Sequence, residues 1–247
     1  MKSRRFLMLR LEAPLMSFGG VAVDEHGVTG DFPSLSMVTG LLANALGYIH
    51  QDSDRLERLQ QRIRFGVRRD RAGDHLVDFQ TVDLGQEFLA EAWTTRDAPA
   101  HRGGGTAKEG THIRHRHFWA DAVFTLVLTL EPAEEDPSID SIIRALKEPE
   151  RPLFLGRKPC IPATPILIGE VDASRIRDAL LSAQLSDRAD KQTLVAWWPV
   201  DGEQAPPDGI GRQIAISDER DWANQIHAGR RFVWEAPIPE SEAHHAD

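Results

Sequence analysis

Residues 85–110, GQEFLAEAWTTRDAPAHRGGGTAKEG, carry no apolar periodicity, yet strand-like runs bracket them. HLVDFQTVDL (75–84) reads as a strand on one side, and FWADAVFTLVLTL (118–130) reads as a single buried strand on the other. A glycine-rich excursion of that length inside a domain is either functional or disordered. The fold must therefore accommodate strand, strand, excursion, strand.

The remaining pattern fills in the order. RRFLMLRL (4–11) is a first strand, followed by a loop rich in glycine and proline. In SLSMVTGLLANALGY, Leu35, Val38, Leu41, Leu42, Ala45 and Leu46 recur at helical spacing, with Ser34 as N-cap and Gly47 to close. SDRLERLQ extends the helical region. In RIRFGVRRD (62–70), Ile63, Phe65 and Val67 share one face and Arg62, Arg64 and Arg68 the other, which predicts a half-buried strand with an arginine face. PSIDSIIRALKEP and ASRIRDALLSAQL read as helices, LFLGRKPCIPATPILIGEV (153–171) as extended chain, and QTLVAWWPV and GRRFVWEAP (229–237) as strands. This order predicts an α+β fold of the ferredoxin-like type. Residues 1–150 would form that domain, 151–234 a smaller strand-rich portion, and 235–247 a polar, disordered tail.

The single cysteine, Cys160, excludes an internal disulfide and a multi-cysteine metal site, and fits a reducing cytoplasm. No apolar run reaches membrane-spanning length. The basic, apolar start superficially suggests a signal peptide, but Arg10 and Glu12 interrupt it. A net charge of −9 argues against a protein that coats nucleic acid indiscriminately. The charge is uneven, however. Residues 55–71 hold seven arginines against Glu57 and Asp70, and residues 101–117 hold Arg102, Lys108, Arg114 and Arg116 against Glu109. A basic patch on an acidic body suits a subunit that grips nucleic acid at one place.

Several chemistries can be weighed. On a strand, His115 and His117 would share a face as two metal ligands could, with His112 opposite. A third ligand would have to come from His75 or Asp78, which nothing marks, so no metal is expected. There is no G-x-S-x-G elbow, dinucleotide fingerprint or phosphate loop, and no cofactor is expected. Metal-free RNA cleavage stays open, because Tyr48, Lys108 and the histidines of 112–117 are suitable types. Binding needs cations for phosphates, and Arg102, Lys108, Arg114, Arg116 and the Arg157–Lys158 pair after a glycine supply them.

Several segments together resemble the CasD family of type I CRISPR Cascade subunits, within the RAMP superfamily. They are LRLEAPLMSFG, GDFPSLSMVTGLLANALGY, VRRDRAGDHLVDFQTV, THIRHRHFWADAVFTLVL with Ala120, Asp121, Ala122 and Phe124, and RPLFLGRKPCIPATPI. They run in the family's order across residues 5–170. The resemblance implies a ferredoxin-like domain with a thumb at roughly 85–110. It implies a cytoplasmic, non-catalytic subunit that binds the crRNA 5′ handle and caps the backbone subunits. It further implies contact with the large subunit, an indirect link to target DNA and no membrane. Carried over, the handle pocket is lined by Met16, Ser17, Phe18, Gly19, Ser34 and Ser36, with Arg157 and Lys158 near. GTHIRHRHFW becomes the thumb base, where His112, Arg114 and Arg116, with Arg102 and Lys108, turn to RNA. Relatives that cut precursor crRNA carry a Lys-His pair, which this chain lacks.

Overall fold

A computed structural model describes residues 3–20, 25–83, 91–93, 99–101, 111–190 and 194–238. In chain order, the strands and helices of the first half are β1 (Arg4–Glu12), β2 (Leu15–Met16), β3 (His26–Gly27), α1 (Leu35–Ala45), α2 (Ser53–Arg62), β4 (Ile63–Arg71), β5 (Asp74–Asp83), β6 (Glu91–Trp93), β7 (Pro99–His101), β8 (Thr111–Ala120) and β9 (Val123–Leu130). There follow α3 (Ile139–Lys147), β10 (Leu167–Ala173), α4 (Ile176–Ser182), β11 (Leu194–Pro199), β12 (Arg212–Ile216), β13 (Arg220–Asp221), β14 (Ile226–His227) and β15 (Arg231–Ile238). The protein is α+β and mostly antiparallel. No helix among the described residues is long and apolar enough to cross a membrane.

The main sheet has seven strands in the order β10-β1-β9-β4-β11-β15-β12, each antiparallel to its neighbours. Alternation sends Leu7, Leu9 and Leu11 of β1, with Phe65 of β4 and Leu126 of β9, to the face covered by α1, α2 and α3. Phe6 and Val127 point the other way, against Ile176, Ala179 and Leu180 of α4. Both faces are thus buried, which explains the almost unbroken apolar run of β9.

The helix α1 forms as its sequence predicts. Ser34 is extended, and its hydroxyl accepts from the Met37 amide at 3.1 Å. At the other end Gly47 has φ +80°, the Gly47 amide reaches the Asn44 carbonyl, and the Tyr48 amide reaches Ala43. That pair of bonds is a Schellman closure, which needs a residue without a side chain at the left-handed position.

Four expectations need correction. The run 118–130 is two strands, because Asp121 adopts φ +58° and turns β8 into β9. The arginine face of 62–70 is solvated only at Arg64. Arg62 closes α2 and is buried, donating to the Pro132 and Glu135 carbonyls. Arg68 is fully buried, because α4 covers that side of the sheet. Its guanidinium pairs with Asp70 at 2.6 Å and caps the carbonyls of Leu180, Ala183 and Gln184 at the end of α4. Third, residue 150 is not a break in the sheet: β10 pairs with β1, and β11 with β4. Finally, β15 continues through Ile238, so residues 235–238 are strand rather than tail, while 239–247 lie outside the described residues.

The excursion also begins earlier than its composition suggests. The arms β5 and β8 pair over ten positions, from Asp74↔Ala120 to Asp83↔Thr111. Gly73, at φ +64°, makes the bend, where a Cβ would lie 2.4 Å from the Ala120 carbonyl oxygen. Within 85–110 itself the described residues are the short β6–β7 pair.

Candidate nucleic-acid interface

Two loops that are far apart in sequence meet beside α1. The Ser17 amide donates to the Leu155 carbonyl at 3.2 Å, which brings the SFGG turn onto the LFLGRK loop. The second loop holds its own shape through Leu155 amide to Cys160 carbonyl and Cys160 amide to Arg157 carbonyl bonds. Ser34 joins the first loop to the helix, its hydroxyl donating to the Phe18 carbonyl at 2.8 Å and lying 3.2 Å from the Ser36 hydroxyl.

Between them opens a cavity of about 600 Å³. Ser17, Phe18, Gly19, Ser34 and Ser36 line one side, Gly156, Arg157 and Lys158 another, and Asn44, Tyr48 and Arg151 a third. The β13–β14 hairpin supplies Arg220, Trp222 and His227. Arg151, Arg157, Lys158 and Arg220 face no carboxylate among the described lining residues, although the chain as a whole is acidic. Cations with aromatic and apolar walls are what a phosphate-linked chain of bases requires.

The cations are held in different ways. Arg157 donates to the Gly27 carbonyl at 2.6 Å and to His117 at 3.0 Å, and lies 4.9 Å from the Phe118 ring centre. Burial and the neighbouring Arg116 push its pKa down, a like-charge crowding that an anion relieves. Lys158 is exposed. Arg151 is tied to Asn44 and to the Gly47 and Tyr48 carbonyls. Arg220, whose pKa burial also lowers, keeps a buried Nε without a partner among the described residues, as does the Ser17 hydroxyl. Buried polar atoms without a protein partner are uncommon in folded chains. The first turn of α1 is not the anion site, since the Leu35 and Ser36 amides donate to Asp218 and the Met37 amide to Ser34.

Seven of the residues expected to bind therefore meet at this cavity: Ser17, Phe18, Gly19, Ser34, Ser36, Arg157 and Lys158. Met16 does not line it, because its side chain is fully buried in the core. The Phe18 ring is buried as well, edge-on to Phe124 at 5.0 Å, so only its backbone faces the opening. Arg116 stands beside Arg157 over Gly27, where an added Cβ would lie 2.9 Å from one guanidinium and 3.2 Å from the other. Arg114 shares its strand face two positions on. His112 lies in β8, and its side chain, like Arg102 and Lys108, falls outside the described residues.

The wall from the C-terminal third had no motif to announce it. Gln60 of α2 sets it in place, giving 2.9 Å to the Arg220 carbonyl and accepting 3.1 Å bonds from the Arg220 amide and Trp222 Nε1. On the far side of β8, His115 and His117 do share a face, and His75 joins them through a 3.2 Å contact with His117 Nδ1. Asp78, opposite Arg116 in register, is on the other face. Burial and the surrounding histidines hold the His117 pKa below its ordinary value.

The fold is an α+β protein with a cation-lined cavity beside α1. The chain belongs to the CRISPR-associated Cas5 family: the model described as CRISPR-associated protein (Cas_Cas5) matches residues 6–234. It is 30% identical over 179 residues to the CRISPR system Cascade subunit CasD of Escherichia coli (strain K12), covering 72% of this chain and 77% of that protein. A chain of a CRISPR RNA-guided surveillance complex shares the fold, with a TM-score of 0.66 at 24% identity over 97% of this chain and 93% of that one. A crystal structure of a Cas protein superposes with a TM-score of 0.61 at 26% identity over 98% of both chains. The resemblance to CasD read from the sequence is thereby shown.

Proposed function

We propose that this cavity holds the 5′ handle of a crRNA and that the chain is a non-catalytic Cascade subunit in CRISPR defence. The observation that carries this reading is the convergence of Arg151, Arg157, Lys158 and Arg220 on one cavity with no carboxylate among its described lining residues. The sheet supports a ferredoxin-like core: β1, the α1–α2 crossover, β4, β9, α3 and β10 follow the βαββαβ order, with strands arranged β10-β1-β9-β4. The β5–β8 arms are the root of the thumb. Their outer face exposes Val77, Phe79 and Ile113, which suits packing on a neighbouring backbone subunit. Arg114 and Arg116 turn toward the guide, the large subunit abuts the capped end, target DNA is reached through the assembly, and the complex works in the cytoplasm.

The test is a gel with purified protein and end-labelled repeat RNA, in EDTA and in magnesium, beside RNA with a scrambled handle. The expected result is a shift specific to the intact handle with no new band. A discrete cut that persists in EDTA and disappears in Tyr48→Phe would replace this reading with that of a metal-independent processing nuclease.

A further inference from the structure

His26, His75, His115 and His117 gather where β3 and β5 flank β8, on the side of the strand away from Arg114 and Arg116. Parallel pairing sets His26 opposite His115, and the His115 amide donates to the Glu25 carbonyl at 2.9 Å, so the backbone fixes these residues side by side. The His26 and His115 rings stack at 4.7 Å, and the His26 and His117 ring centres are 6.1 Å apart. One ligand atom from each of Glu25, His26 and His115 lies within 4.8 Å of the others. Two ring nitrogens, His115 Nδ1 and His117 Nε2, are buried with no hydrogen-bond partner among the described residues. Imidazole nitrogens left without a protein donor or acceptor are suited to an ion that takes nitrogen lone pairs.

We propose that Glu25, His26 and His115, with His117 completing the set, bind one divalent late transition-metal ion such as zinc. The ligand types are those zinc takes, three imidazoles and one carboxylate. Neighbouring ligands on a tetrahedral ion are about 3.3 Å apart for metal–nitrogen bonds of roughly 2.0–2.1 Å. His26 Nε2 and the Glu25 carboxylate are already at 3.7 Å, and with side chains 49% and 46% exposed they have room to close. His75 acts one step out: its contact with His117 Nδ1 orients that ring and leaves Nε2 to face the ion. Arg116 and Arg157 lie on the other side of Gly27, and Glu25 offsets part of the charge the ion adds. Bound there, the ion would pin β3 to β8 at the root of the thumb. This inference is independent of the RNA reading.

The experiment titrates the full-length, metal-stripped chain with zinc chloride by calorimetry, and with cobalt chloride by visible absorption. The expected result is one ion per chain, a tetrahedral cobalt spectrum and a melting temperature raised by zinc. Binding should vanish in His26→Ala and in His115→Ala and weaken about tenfold or more in His75→Ala. It should survive in His244→Ala/His245→Ala, which removes the adjacent tail histidines. His26 is exposed on a two-residue strand, so its variant folds even where a β8 variant does not. Absence of uptake, uptake unchanged in His26→Ala, or uptake lost only with the tail histidines would each overturn the proposal.

Discussion

Gly156 meets Ser17 backbone to backbone: a Cβ on Gly156 would lie 1.5 Å from the Ser17 carbonyl oxygen, at a φ of +93°. The two loops of the cavity can therefore close on each other only through glycine. Gly156→Ala adds a clash with immobile main chain to the strain of a left-handed residue, itself about 1–2 kcal/mol. Gly19 is the control, since it has φ +79° and nothing within 4 Å of an added Cβ. Thermal melts and handle titrations should rank Gly156→Ala well below Gly19→Ala in both stability and affinity. Equal losses would mean that the loops do not seat on each other.

The Arg68–Asp70 pair is fully buried, and Asp70 also accepts from the Thr125 hydroxyl and the Ser186 amide. Arg68→Met leaves a buried carboxylate facing partly unpaired, and should cost about 3–5 kcal/mol in denaturant unfolding. Arg68→Met/Asp70→Leu should lose less than the sum of the two single variants, because neither charge is then stranded. Some loss must remain, since Arg68 also caps three carbonyls at the end of α4. Strict additivity would contradict the assigned coupling.

Gln60→Leu keeps the size of the side chain but strands the Trp222 indole N–H and the Arg220 main-chain groups. A stability loss of about 1–3 kcal/mol follows if those groups stay buried. If instead the β13–β14 hairpin swings away, stability is largely kept and handle affinity falls. Hydrogen exchange at residues 220–228 separates the two results, since protection is kept in the first and lost in the second; stability, affinity and protection all equal to wild type would exclude both.

How far this could be read from sequence depends on the distance over which each feature is specified. The cap Ser34, the closing Gly47 and the apolar spacing of α1 are local, and they fold as they read. The cavity loops were found through resemblance, and Gly156 shows why glycine is needed there. Arg68 was misread because alternation tells which residues share a face, not whether a helix from residues 176–182 will cover it. Gly66 carried the missing hint: a Cβ there would sit 2.4 Å from Ile176 Cγ2, so a strand glycine marked the approach of α4. Trp222 and Arg220 carry no local signal because a single glutamine 162 and 160 positions away holds them. The histidine cluster was half legible. His115 and His117 share a face by period two, but His26 and His75 arrive through strand pairing that no local pattern encodes.

Asp121 makes the stability acid-sensitive. A hydrogen bond from Arg188, aided by the charges of Arg188 and Arg71, holds its carboxyl below the ordinary value. A depressed folded-state pKa means that this stabilisation is present above the unfolded value, about 3.9. It fades as the pH falls through the lower folded value. Asp121→Asn, which still tolerates φ +58°, should melt lower than wild type at pH 7 and approach it in stronger acid. A gap that stays constant from pH 7 into acid would remove Asp121 as the titrating group.

Arg157 and Lys158 are adjacent but should answer differently when RNA is bound. Lys158 is exposed, whereas Arg157 is tied to the Gly27 and His117 carbonyls and lies over Phe118. Lys158→Ala should therefore leave the melting temperature unchanged. It should reduce the slope of log affinity against log salt by about 0.7, one phosphate's worth of released counterions on a single strand. Arg157→Ala should lower both the slope and the melting temperature, since it also frees β3 from the LFLGRK loop. Arg157→Lys separates those roles: it keeps the charge and the salt slope but cannot reach both carbonyls in the guanidinium's geometry, so the melting temperature falls alone. If Lys158→Ala leaves the salt slope unchanged, the phosphate path does not pass this side of the cavity, and the handle must enter along Arg151 and Arg220 instead.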